Sequence, residues 1–176
     1  MNLKVHAPAL VLGGLLLAPA APAFAQQVTD PQIAAIVVTA NQVDIDAGKL
    51  AESKSTNSEV KAFGKLMVTD HTGVNKQATA LVTKLNVKPE QSATSESLKS
   101  GGDENLKHLH GLTGSAFDKA YVTHEVDYHQ QVIDALDKTL IPDAKNAELK
   151  ALLVKVRPAF VAHLEHAKHL QSALGK

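Results

Sequence analysis

Apolar residues recur every three or four positions in four long stretches of this chain, the spacing of one buried helix face. The first stretch carries Ile33, Ile36, Val37, Ala40, Val43, Ala47, Leu50 and Ala51; Thr29 and Pro31 supply a cap and a first-turn proline, predicting a helix over 31–54. In the second, Val60, Phe63, Met67, Val74, Ala78, Leu81 and Leu85 follow Thr56 and Glu59, which have capping-box spacing, predicting a helix over 57–85. The third is expected over 116–140, after Thr113-Gly114-Ser115 and before Ile141-Pro142. The fourth is expected over 144–174, with Leu149, Leu152, Val156, Phe160, His163, Ala167, Leu170 and Leu174 in its stripe. Pro158 lies inside this last pattern and predicts a bend.

The connections arrange these helices. Helices one and two, and three and four, are joined by a few residues, which makes each pair an antiparallel hairpin. Between the hairpins lies a polar stretch, 86–115, with a short helix expected around Glu104–His110. Such a stretch is long enough to run the length of a 29-residue helix, about 43 Å. Two hairpins joined by one long crossover predict an all-α, ferritin-like four-helix bundle. No sequence has the alternation of a membrane barrel strand.

The first 25 residues stand apart. Lys4, an apolar run from Ala7 to Ala18 and the closing Ala23-Phe24-Ala25 read as a signal peptide over 1–25, cut after Ala25. The expectation is an exported, periplasmic protein with one domain over 26–176 and no membrane span. The chain has 18 basic and 18 acidic residues, and losing 1–25 removes only Lys4, leaving a formal charge of −1. That balance gives no electrostatic reason to bind nucleic acid. The chain has no cysteine, so disulfides, thiolate metal sites and a cysteine-linked lipid anchor are excluded.

Polar residues interrupt the inward stripes in every helix: Asp44, then Asp70 and His71, then Asp118, Tyr121, Glu125, Tyr128 and His129, and finally His163. Carboxylates and imidazoles converging from four helices suit Fe, Zn or Mn. The candidate metal ligands are therefore Asp44, Asp70, His71, Asp118, Glu125, His129 and His163. The two tyrosines are expected to be core residues with hydrogen-bonded hydroxyls. If residues equidistant from a turn share a level, a second turn centred near residue 143 separates His129 from His163 by roughly 9 Å along the axis. The resulting cluster is Asp44, Asp70 or His71, Glu125 and His163, flanked by Asp118 and His129. His166 and His169 are expected to be solvated cations near a helix C-terminus.

These residues also support a purely structural role, since a buried histidine facing a carboxylate can fix helix register without a ligand. No Glu-x-x-His pair of the di-iron kind is present, and the nearest arrangement is Glu125-x-x-x-His129. No nucleophile with a paired base, phosphate loop or nucleotide motif occurs either. The leading expectation is non-enzymatic metal binding. Its alternative is an envelope stress or interaction protein with an unidentified protein partner, and a ferritin-like oxidase is a minor third reading.

The stretches AGKLAESKS, VKAFGKLMVTDHT, AFDKAYV, His129-Gln130 and RPAFVAHLEHAKHL occur together and in order. In this they resemble the family called domain of unknown function 4142, exported bacterial proteins regarded as ferritin-like and often labelled outer-membrane proteins. The resemblance spans about Thr29 to Leu174. The family's pattern falls on Asp70, His71, Phe117, Asp118, Tyr121, His129 and His163, with Asp44, whose shorter reach bears on a ligand role there, where relatives usually have glutamate. The resemblance implies a fold but no established reaction.

Overall fold

A computed structural model describes residues 27–175, and the expected signal peptide over 1–25 lies outside them. Among the described residues the chain is all-α. Helix α1 is Asp30–Lys54, α2 is Ser58–Lys84, α3 is Ala93–His110 and α4 is Gly114–Ala135. The last continues through a π-helical turn, Leu136–Leu140, and a final turn, Ile141–Asp143; α5 is Ala147–Leu174.

Local chemistry sets the ends. Thr29 and Gln32 form a reciprocal capping box at α1. Asn57, rather than the expected Thr56, caps α2, its side chain accepting from the amides of Glu59 and Val60. Asn146 does the same for α5 through Glu148 and Leu149. The crossover helix is longer than the expected Glu104–His110, because Ser92 and Ser95 form a second capping box well upstream. α5 is helical throughout, Pro158 included.

Contacts at the helix ends fix directions. Asp30 at the start of α1 accepts from the amides of Lys145 and Asn146, both at 2.9 Å, in the α4–α5 connection. At the other end, Ser55 donates to Asp118 near the start of α4 at 2.5 Å. α1 and α4 are thus antiparallel neighbours. α2 and α5 are also antiparallel, since Lys84 pairs with Glu148, Lys155 with Gln77, and Asp70 with His163. The α1–α2 and α4–α5 hairpins lie side by side. α3 climbs along α1, with Glu90 bonded to Pro31 at its foot and Lys54 donating to the Leu109 and His110 carbonyls at its top.

The apolar interior falls into two clusters. One gathers Ile33, Ile36, Leu136, Leu140, Leu153 and Phe160 toward the α4–α5 turn. The other gathers Val60, Phe63, Met67, Phe117, Tyr121 and Leu170 toward the α1–α2 turn. Between them lie the buried polar residues. No helix among the described residues is long and apolar enough to cross a membrane.

α1 and α2 approach closely at Gly48 and Gly64. A Cβ on Gly48 would lie 2.7 Å from the Gly64 carbonyl oxygen, and one on Gly64 would lie 2.8 Å from that of Gly48. Backbone cannot yield there as a side chain would. Gly48→Ala and Gly64→Ala should each lower unfolding stability by about 1–3 kcal/mol through forced separation of the pair, outweighing the gain in helix propensity. Gly73→Ala, with nothing within 4 Å of its added Cβ, should instead stabilise by about 0.5–1 kcal/mol in the same urea titration. Equal effects at Gly48 and Gly73 would refute this account of the packing.

Candidate metal centre

Asp44 from α1, His71 from α2, Glu125 and His129 from α4, and His163 from α5 are all buried between the two apolar clusters. Their stripes bring them inward because each sits three or four residues from an apolar neighbour, as His71 does from Met67 and Val74. The ring centres of His71, His129 and His163 form a near-equilateral triangle with sides of 5.6, 5.2 and 5.4 Å. One ligand-capable atom of each histidine lies within 4.8 Å of the other two, and the same holds for Asp44, Glu125 and His129. His129 belongs to both groups.

Each imidazole is held through one nitrogen and free at the other. His71 donates from Nδ1 to Asn41 Oδ1 at 2.7 Å, a direction set because Asn41 Nδ2 donates to the Val37 carbonyl. His129 donates from Nδ1 to the Glu125 carbonyl at 3.0 Å. His163 donates from Nε2 to Asp70 at 2.9 Å. His71 Nε2, His129 Nε2 and His163 Nδ1 are buried without hydrogen-bond partners. Both carboxylate oxygens of Glu125 are in the same condition, at 0% exposure. Metal-binding imidazoles are oriented in this way, with the outer N–H tied to an oxygen acceptor.

A family model described as "Domain of unknown function (DUF4142)" matches residues 16–170. The chain belongs to this family. Among solved structures, "CopM in the Cu(II)-bound form" is similar at a TM-score of 0.66 and 16% identity, covering 84% of this chain and 99% of that one. At that identity the likeness is one of fold. No curated protein matches the chain.

The interior of this DUF4142 protein brings His129 and His163 together, correcting the roughly 9 Å offset expected from the sequence. The connection lies between Asp143 and Ala147, so the turn centres near residue 145 rather than 143. That alone reduces the offset to roughly 3 Å. Side chains also lean toward their own helix N-terminus, which in this antiparallel pair draws the two rings toward each other. Asp118 is elsewhere: it is buried against Ser55 and holds the end of α1 to the start of α4. Asp70 reaches the cluster only through His163, and its side chain is 39% exposed. Tyr128 donates to the Ala40 carbonyl as expected, but the buried Tyr121 hydroxyl has no partner. His166 is exposed and packs edge-on against Phe63. Asn41 was not among the expected site residues, although its position four residues after Val37 and three before Asp44 places it on the stripe.

Burial dominates the protonation of this site. It drives His71 well below the usual imidazole range, helped by the neighbouring charges of His129 and His163, and lowers His163 despite the Asp70 carboxylate. Burial also raises Asp44 well above the usual carboxylate range, with Glu125 adding to the shift. For His129 burial is overcome by Asp44 and Glu125, and its pKa rises from 6.5 to about 9. The metal-free protein should therefore be most stable near neutral pH. Below about 6.5 the unfolded chain takes protons that folded His71 and His163 refuse, so stability falls with falling pH. Between 6.5 and 9 the folded chain keeps the His129 proton that the unfolded chain releases, so stability falls with rising pH. Asp44, raised from 3.8, acts in the same sense from the foot of the acid limb upward and so partly offsets that limb. Urea midpoints measured in chelator across this range should show both limbs. His129→Gln should flatten the alkaline limb, and an unchanged slope would contradict the assignment.

Proposed function

We propose that this protein is a non-catalytic metal-binding protein of ferritin-like arrangement, exported to the periplasm after cleavage behind Ala25. Its ion is a divalent transition metal held by His71, His129 and His163, with Glu125 or Asp44 completing the set. The observation that carries this reading is the convergence of three buried histidines, each with one ring nitrogen that has no hydrogen-bond partner, beside the fully buried carboxylate of Glu125. Leaving such groups unsatisfied in a low-dielectric interior is costly, and a cation among the three rings would take up one nitrogen of each, displacing the proton that His129 holds at neutral pH.

The donor set selects among metals. Three imidazoles and carboxylate oxygens, without any thiolate, suit Cu(II) and Zn(II) better than the oxygen-rich site that Mn prefers, and Cu(II) binds such donors most tightly of the first-row divalent ions. The similar fold of a protein solved in its Cu(II)-bound form makes copper the first ion to try. Fe, Zn and Mn, the ions expected from the sequence, are the comparison set. The outer contacts explain selectivity for geometry: Asn41, the Glu125 carbonyl and Asp70 lock the three rings before an ion arrives. Asp70, half in solvent, stands where an incoming cation first meets the site.

The test is metal analysis and titration of the untagged chain, residues 26–176. One equivalent of Cu(II) should bind, with nitrogen couplings in its electron paramagnetic resonance spectrum. His71→Ala/His163→Ala, checked for retained helicity, should lose stoichiometric uptake. Asn41→Leu, which removes the outer contact of His71 together with the bond from Asn41 to the Val37 carbonyl and leaves every proposed ligand in place, should weaken binding about 10- to 100-fold. A folded wild-type protein that takes up none of the four ions would overturn the proposal and leave the cluster as a register-fixing network. N-terminal sequencing of the exported protein should begin at Gln26.

A further inference from the structure

We propose that the metal-free protein binds a small apolar molecule bearing one hydroxyl group, in a cavity whose floor is one side of the imidazole cluster. The site is a cavity of about 270 Å³ enclosed by α1, α3, α4 with its π-helical turn, and α5. Its floor contains Asn41, Asp44, His71 and His129, and its walls are aliphatic, among them Ile36, Leu136, Leu140, Leu153 and Val156. Thr94 on α3 and Gln131 on α4, both exposed, mark its mouth.

Protein interiors seldom leave voids larger than a water molecule, and an apolar cavity of about 150 Å³ already accepts benzene. A space of about 270 Å³ therefore accommodates a substituted ring or a short branched chain. The π-helical turn is part of the construction. Leu136, Thr139 and Leu140 all line the cavity, so the departure of α4 from regular geometry lies along this wall. Such irregular turns are frequent at functional sites.

The floor determines the end-group. An anion would meet the carboxyl groups of Asp44 and, within 4.8 Å of it, Glu125, against the single positive charge of His129. An ammonium group would have to shed its hydration to cross aliphatic walls. A hydroxyl needs one acceptor and one donor. The carboxyl of Asp44 lines the floor and offers both, as acceptor when ionised and as donor when protonated, whereas the free ring nitrogens of His71 and His129 are closed off from the cavity. Phenols and aliphatic alcohols share this chemistry.

The site is tested on metal-free chain 26–176 in chelator, so its outcome is separate from that of the metal proposal. Calorimetry or amide-shift titration would compare 4-propylphenol, propylbenzene and 4-propylbenzoate. The phenol should bind saturably at one equivalent, propylbenzene about tenfold more weakly, and the benzoate more weakly still. Leu98→Trp, which fills the α3 wall, should abolish binding of the phenol. Val132→Phe, from the α4 wall, gives the same reading if the first variant does not fold. No saturable phenol binding, equal binding of the benzoate, or phenol binding retained in both folded variants would each overturn the proposal.

Discussion

The central constraint on this fold is the removal of charge-bearing groups from water at the middle of its helices. A buried carboxylate or imidazole is tolerated only where its hydrogen bonds are replaced, and the penalty for failing is several kcal/mol per ionised group. Here the replacement is partial and directional. Asn41, the Glu125 carbonyl and Asp70 each satisfy the outer nitrogen of one histidine, while the inner nitrogens face a shared centre. The three outer acceptors come from α1, α4 and α2, so all four long helices must be in register for the cluster to form.

The surrounding architecture bears that cost. An aliphatic and aromatic cluster lies on each side of the polar layer, one near each end of the hairpins. The ends are then tied by polar contacts that span distant parts of the chain, Asp30 to the α4–α5 connection and Ser55 to Asp118. Gly48 and Gly64 bring α1 and α2 backbone to backbone, which sets the height of Asp44 relative to His71, whose side chains approach to 3.5 Å. A small change in that packing would alter the polar centre several residues away.

Much of this was legible in the sequence because a buried helix face repeats with a fixed period. The four long helices, their pairing and the inward direction of Asp44, His71, Glu125, His129 and His163 all follow from that repeat. Reading height was harder. It required the position of the α4–α5 turn to within a residue or two, and the π-helical turn with the extra turn beyond Ile141 moved it. Asp118 shares the stripe but lies nearer the helix start, where its partner is a turn serine, a distinction that periodicity alone does not make. Asn41 falls on the stripe too, but an amide carries no charge to mark it as part of a metal centre. The crossover helix was underestimated because its polar, glycine-containing sequence buries few side chains and so leaves little periodic signal.

That sparse burial has a kinetic meaning. Along its 18 residues α3 buries only Ser95, Gly102 and Leu109, and Gly102 does so by giving Val43 of α1 a flat surface. A segment with so few buried side chains is expected to open locally at a smaller free-energy cost than the hairpins beneath it, its amide hydrogens exchanging through that opening rather than through global unfolding. Thr94 and Leu98 of the same helix form one side of the cavity above the histidines. A local opening of α3 would therefore uncover that cavity while the two hairpins stay shut.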